Sequence, residues 1–138
     1  TIDGTALSRN DGVSVLNTHA GNVNTSRTVG VDGLLLDTVQ RQELQVDFGG
    51  STDGILIDAD SATISDIALI GQSGSGATIT VSENVFTGGD ATIQRTIVGA
   101  RADGSDPGAN SGFRGMAIDG AANISNNFIG NLSVSQHL

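Results

Sequence analysis

One short apolar phrase returns three times along this chain: "ATISDIALIG" at 62–71, "ATIQRTIVG" at 91–99 and "ANISNNFIG" at 122–130. A second signal runs through the first half. Asp-Gly occurs at Asp11-Gly12, Asp32-Gly33 and Asp53-Gly54, each 21 residues after the last, and each is followed by a triplet with apolar first and third positions: "VSV", "LLL", "ILI". The series goes on at "SGATITV" (75–81) and resumes at "RGMAI" (114–118). "ILIDADSATI" holds both phrases together, so each period carries at least two short strands separated by Asp, Asn, Ser and Gly.

Two folds could be written this way. Asp-Gly between apolar runs is a hairpin signal, and short strands at close spacing suit an antiparallel sandwich. A sandwich, however, has no reason to return to one phrase at a fixed interval. A parallel β-helix has one, because each coil lays its strands on those of the coil before, about 4.8 Å away, and equivalent residues stack. The expected fold is therefore all-β: a single-stranded, right-handed parallel β-helix of about six coils of 21–22 residues, forming one domain over 1–138. Val13, Val15, Leu34, Leu36, Ile55, Ile57, Ile79 and Ile118 are expected to form its core ladder.

Composition agrees with strands and turns. Acidic residues are 13 Asp and only two Glu, all six bases are Arg, and there are 20 Gly against one Pro. Asp bonds its own backbone in turns, whereas helices favour Glu, Lys and Leu. A net charge of -9 without an Arg cluster or an aromatic platform argues against nucleic acid and anionic membrane surfaces as partners. No run is long enough to insert in a membrane as a helix. The chain has no Cys, so it carries no disulfide framework or thiol chemistry. The start, without Met and in mid-pattern, suggests a chain processed or excerpted from a longer one.

"ANISNNFIG", "IDG" and "GATITV" resemble the right-handed parallel β-helix repeats of the pectate-lyase-like superfamily, found in bacterial secreted and cell-surface proteins. The likeness covers nearly the whole chain and specifies a fold rather than a reaction. It implies a stacked turn Asn, a part that Asn126 or Asn127 would play, although the corresponding turns near Asp66 and Thr96 carry other residues. It also implies that a polysaccharide-cleaving relative would use an Arg or Lys base beside acidic calcium ligands, for which Arg95 or Arg101 near Asp90 or Asp103 would have to serve.

Other chemistry is weakly marked. "ARADGSDPGANSG" (100–112) breaks the period and reads as a long solvated loop; Asp103, Asp106 and Asn110 offer oxygen ligands for calcium there, but without the terminal Glu of an EF-hand. Asp58 and Asp60 could form a carboxylate pair, yet "DADS" is equally a turn that uses Asp for local bonding. His19 and His137 have no nucleophile turn to serve and read as surface residues. Thr78 and Thr80 form a single Thr-x-Thr, not an array.

The ends bear on function. A β-helix exposes unpaired main chain and a cut core at each end, and neither terminus of this chain reads as a capping helix. Ile2 and Leu7 at one end, and Ile129, Leu132 and Val134 at the other, are expected to meet further copies head to tail, a contact that does not close on itself and gives a filament. The expected function is a non-catalytic, exported structural subunit of an extracellular filament, stalk or surface layer, needing no cofactor. The alternative is a polysaccharide-binding or polysaccharide-cleaving module with its groove beside the 100–112 loop.

Overall fold

The computed structural model describes residues 1–4, 21–23, 28–29, 33–35, 38–59, 61–73, 76–82, 91–108 and 115–130. Among them every regular element is a strand. Eleven of the thirteen strands build three parallel sheets. Sheet I stacks β1 (Ile2–Asp3), β6 (Thr63–Ser65), β9 (Ala91–Gln94) and β12 (Ala122–Ser125) in that order. Sheet II stacks β4 (Leu44–Asp47), β7 (Ile67–Ile70), β10 (Ile97–Val98) and β13 (Phe128–Ile129). Sheet III stacks β5 (Ile55–Ile57), β8 (Ile79–Val81) and β11 (Met116–Ile118). The chain visits I, II and III in the same order on each pass, an arrangement consistent with a parallel β-helix.

Register makes the repeated phrase a rung. Ile64 pairs with Ile93 and Ile93 with Ile124 in sheet I, while Ala68 pairs with Ile97 and Ile97 with Phe128 in sheet II. The three phrases beginning at 62, 91 and 122 thus lie directly on one another. Their inward side chains meet those of sheet III in one cluster that includes Ile64, Ile93, Leu69, Val98, Ile79 and Val81. With almost no aromatic residue to fill space, β-branched side chains and Leu supply the packing.

The two faces of each sheet explain the local patterns. Strand β9 alternates buried and half-buried residues, because Thr92 and Gln94 point away from the core. Every residue of β7 is buried. Ile67 and Leu69 face the main cluster, while Ala68 joins Ile97, Val39, Ala100 and Ala102 in a second cluster on the outer side of sheet II. A strand covered on both faces reads as a continuous apolar run, which is what "IALI" is. The cover comes from two segments. Residues 38–42 bridge antiparallel to 21–23 through Asn22 and Gln40, with Val23 N–H donating to the Val39 carbonyl at 2.8 Å. The start of the 100–112 segment bonds to this arm, Gln42 N–H to the Ala102 carbonyl at 2.9 Å, and to β4, Ala102 N–H to Gln45 Oε1 at 3.0 Å. The start of that segment is anchored, with Ala100 and Ala102 buried on the sheet, while Arg101, Asp103, Ser105 and Asp106 are exposed as a solvated loop requires.

The expected interval of 21–22 residues is corrected. Paired residues of successive rungs are 23 apart between β4 and β7, 24 between β5 and β8, 29 between β6 and β9, 31 between β9 and β12, and 37 between β8 and β11. Ile55 does lie on Ile79 and Ile57 on Val81, which in turn pairs with Ile118. Leu34 does not extend that ladder: β3 (Leu34–Leu35) pairs antiparallel with β2 (Thr28–Val29). Gly33, at φ 68°, stands just before β3. Here Asp-Gly acts as a hairpin signal, since closing on the strand just upstream costs less chain entropy than closing a full coil. Val13, Val15, Leu36 and Leu7 lie outside the described residues. Sheet I passes from Ile2 directly to Ile64, so its described strands make four rungs, and the expected six coils are not shown among the described residues.

At Asp53-Gly54 the glycine has a different use. Ile55 N–H donates to the Thr78 carbonyl at 2.9 Å, and a methyl group on Gly54 would sit 2.1 Å from that same oxygen. The obstacle is main chain of the next rung and cannot swing aside. Gly54→Ala is expected to cost about 2–3 kcal/mol in chemical unfolding, the scale of overpacking. Asp53→Ala, at an exposed side chain, should stay within about 0.5 kcal/mol.

Candidate functional site

Between the sheet I and sheet II strands of the last three described rungs the chain turns through a single left-handed residue: Asp66 (φ 57°), Arg95 (φ 49°) and Asn126 (φ 53°). These stack. The ladder runs through the turns without a break, with Asp66 N–H donating to the Gln94 carbonyl at 3.4 Å and Arg95 N–H to the Ser125 carbonyl at 3.3 Å. Gly4 begins the column, donating to the Ser65 carbonyl at 2.9 Å. Asp and Asn enter this backbone region readily, but for Arg it costs about 1–2 kcal/mol.

Arg95 is held there by its neighbour. Its Nε donates to Asp66 Oδ1 and its NH2 to Asp66 Oδ2, each at 2.7 Å, a two-pronged ion pair between adjacent rungs. These hydrogen bonds push the guanidinium above its ordinary pKa; partial burial works against them, and the charges of Asp66 and Asp3 add to them. The Asp66 side chain is 14% exposed and that of Arg95 47%, so water screens much of the attraction.

On the inner side of the same turn, Thr96 is fully buried. Its N–H donates to Asn127 Oδ1 at 2.8 Å, while Asn127 Nδ2 donates to the Ile93 carbonyl at 2.8 Å. One side chain from the last rung thereby satisfies two main-chain groups of the rung before. Of the two asparagines singled out in "ANISNNFIG", Asn126 takes the left-handed backbone and Asn127 makes the bond between rungs.

A groove of about 610 Å³ runs between this column and the 38–42 arm, lined by Asn22, Thr38, Val39, Gln40, Gln42, Asp66, Arg95 and Asn126. Its surface is amide, hydroxyl and one neutralised ion pair. It can both donate to and accept from an uncharged polar ligand. The groove expected from the sequence lies beside the 100–112 loop, and neither Asn22 nor the Thr38–Gln42 stretch carries a motif that marks it. What draws that stretch to the column is the apolar outer face of sheet II, which "IALI" marks only as a continuous apolar run that does not say what covers it.

The remaining described candidates do not gather into one site. The Asp103 carboxylate accepts from Ser105 N–H at 2.8 Å and that of Asp106 from Gly108 N–H at 2.7 Å, the local bonding typical of Asp in turns. Asn110 lies outside the described residues, among which no three His, Asp or Glu side chains gather as a metal group. Asp58 is exposed at the end of β5, and Arg101 is exposed. Asp60, Asp90, His19 and His137 lie outside the described residues.

Among the described residues, the last rung ends in apolar side chains exposed to water. Ile118, Ile124 and Ile129 are 37%, 44% and 49% exposed, against 0% for Val81, 0% for Ile93 and 2% for Val98 in the rung beneath. Main-chain direction matches. Gly115, Ala121 and Ser125 turn their carbonyls to the rung beneath, and Asp119, Phe128 and Gly130 their N–H groups. By the alternation of a strand, Ile118, Ile124 and Ile129 then direct N–H and C=O toward the edge on which no described strand pairs. At the opposite edge of sheet I, Ile2 is 40% exposed. Leu132 and Val134 lie outside the described residues.

Comparison with known protein families, with curated proteins and with solved structures finds no match to this chain.

The two bonds between rungs at the turn differ in burial, and so in weight. Asn127→Ala leaves the N–H of buried Thr96 without its acceptor and is expected to cost about 1–3 kcal/mol. Asp66→Ala removes a screened pair and should cost no more than about 1 kcal/mol. Urea unfolding of both variants measures the order; a larger loss for Asp66→Ala would contradict it.

Proposed function

We propose that this chain is a non-catalytic structural element, acting outside the cell or on its surface, whose sheets close into a right-handed parallel β-helix of the pectate-lyase-like kind. Copies join through their open sheet edges into a filament, stalk or surface layer. The observation that carries this reading is the last rung, where three sheet edges present apolar side chains and outward-directed main chain together. Such an edge is a template for another strand. The reading needs no cofactor, and self is the partner. Copies of net charge -9 repel one another, so assembly should strengthen as salt screens that repulsion, while strand pairing and apolar burial persist.

A polysaccharide-binding module is the second reading, favoured by the polar groove. Asp66 is the one carboxylate among its described lining residues and is already ion-paired, so the groove suits binding better than acid–base cleavage.

Ile124→Pro separates assembly from folding. It removes an N–H directed to the open edge and leaves the bonds from β12 to β9 in place. Light scattering and negative-stain microscopy are expected to show large, polydisperse particles for the parent chain and at least a tenfold smaller assembled fraction for the variant, with circular dichroism retained. A parent chain that stays monomeric at high concentration, or a variant that assembles as well as the parent, would overturn the reading.

A further inference from the structure

Sheet I alone, among the described residues, has an apolar column exposed at both ends. The column Ile2, Ile64, Ile93, Ile124 is 40%, 2%, 0% and 44% exposed from first to last. The first rungs of the other sheets differ: Ile57 in sheet III is 5% exposed, and Val46 in sheet II is half-buried. A head-to-tail joint therefore has its best-matched surfaces in sheet I.

We propose that a second copy of this chain lays its β1 on β12, parallel and in the register that already relates the rungs, so that the second copy's Ile2 covers Ile124. This rests on the assembly reading above and fixes its geometry. The main chain supplies an independent indication. In each existing step of sheet I the turn residue's N–H donates to the residue opposite the strand end before it: Gly4 to Ser65, Asp66 to Gln94, Arg95 to Ser125. The next donor in that series is Asn126, and the next acceptor is the carbonyl of Asp3 in the second copy. The joint repeats an interaction the molecule makes three times within itself. It continues the outer column Asp3, Ser65, Gln94, Ser125 with the second copy's Asp3.

The absence of Cys from the chain makes the register directly measurable. Residues opposite one another on neighbouring parallel strands are about 4.8 Å apart, within disulfide reach. A double variant, Asp3→Cys with Ser125→Cys, is expected to give a ladder of covalent multimers on mild oxidation. Thr1→Cys with Asn123→Cys tests the same register without touching Asp3. Asp3→Cys with Asn123→Cys is two residues out of step, beyond the roughly 7 Å that a disulfide spans, and should stay uncrosslinked. Assemblies that form but crosslink in neither matched pair, or crosslink equally in the mismatched one, overturn the register and leave the assembly reading standing. Chains that sediment as monomers before oxidation overturn the assembly reading itself, and the joint with it.

Discussion

The main-chain ladder between successive rungs is the constraint on which the rest depends. Once Ile64 lies on Ile93 and Ile93 on Ile124, the side chains of each rung are placed over those of the rung beneath. Each position becomes a column, and its chemistry must suit its own copy about 4.8 Å away. Ile on Ile satisfies this inside the core. In the turn column, Gly, Asp, Arg and Asn satisfy it by different means: absence of a side chain at Gly4, where a methyl would lie 1.7 Å from the Asp66 carbonyl oxygen, and an ion pair where Asp66 meets Arg95.

The ladder also dictates where the remaining chain goes. Parallel sheets are usually covered on both faces, because the connections that make them parallel must run somewhere. Sheet II follows this rule. Ala68 and Ile97 are apolar on its outer face and are covered by Val39, Ala100 and Ala102. Sheet I has Thr63, Thr92 and Asn123 on one outer column, and β9 alternates accordingly between buried and half-buried residues. The groove beside Asp66 and Arg95 is a consequence of the cover on sheet II, since the arm that buries the apolar face ends against the turn column.

Much of this was legible in the sequence. The phrases at 62–71, 91–99 and 122–130 mark the stacked rungs, and the all-β, parallel character follows from their recurrence. The interval differs from 21 residues because Asp-Gly serves two unlike local geometries: Asp32-Gly33 lies between the two strands of an antiparallel pair, and Asp53-Gly54 lets one rung approach the next. Identical dipeptides carry no mark of which neighbour they will face. The site was less legible. Asn126 and Asn127 could be singled out from their family-like setting, but the partnership of Asp66 with Arg95, 29 residues on, appears only when the true register is known. Asp103 and Asp106 drew notice as acidic residues in a loop, and in the fold each bonds its own turn.

The core columns, the turn pair and the open edge all derive from the interval at which the chain stacks. Backbone NOEs in isotopically labelled protein measure that interval directly. Contacts are expected between the strands of residues 64 and 93, of 93 and 124, and of 68 and 97. Contacts that instead join 36 to 57, the 21-residue spacing, or antiparallel contacts between 63–65 and 91–94, would contradict it.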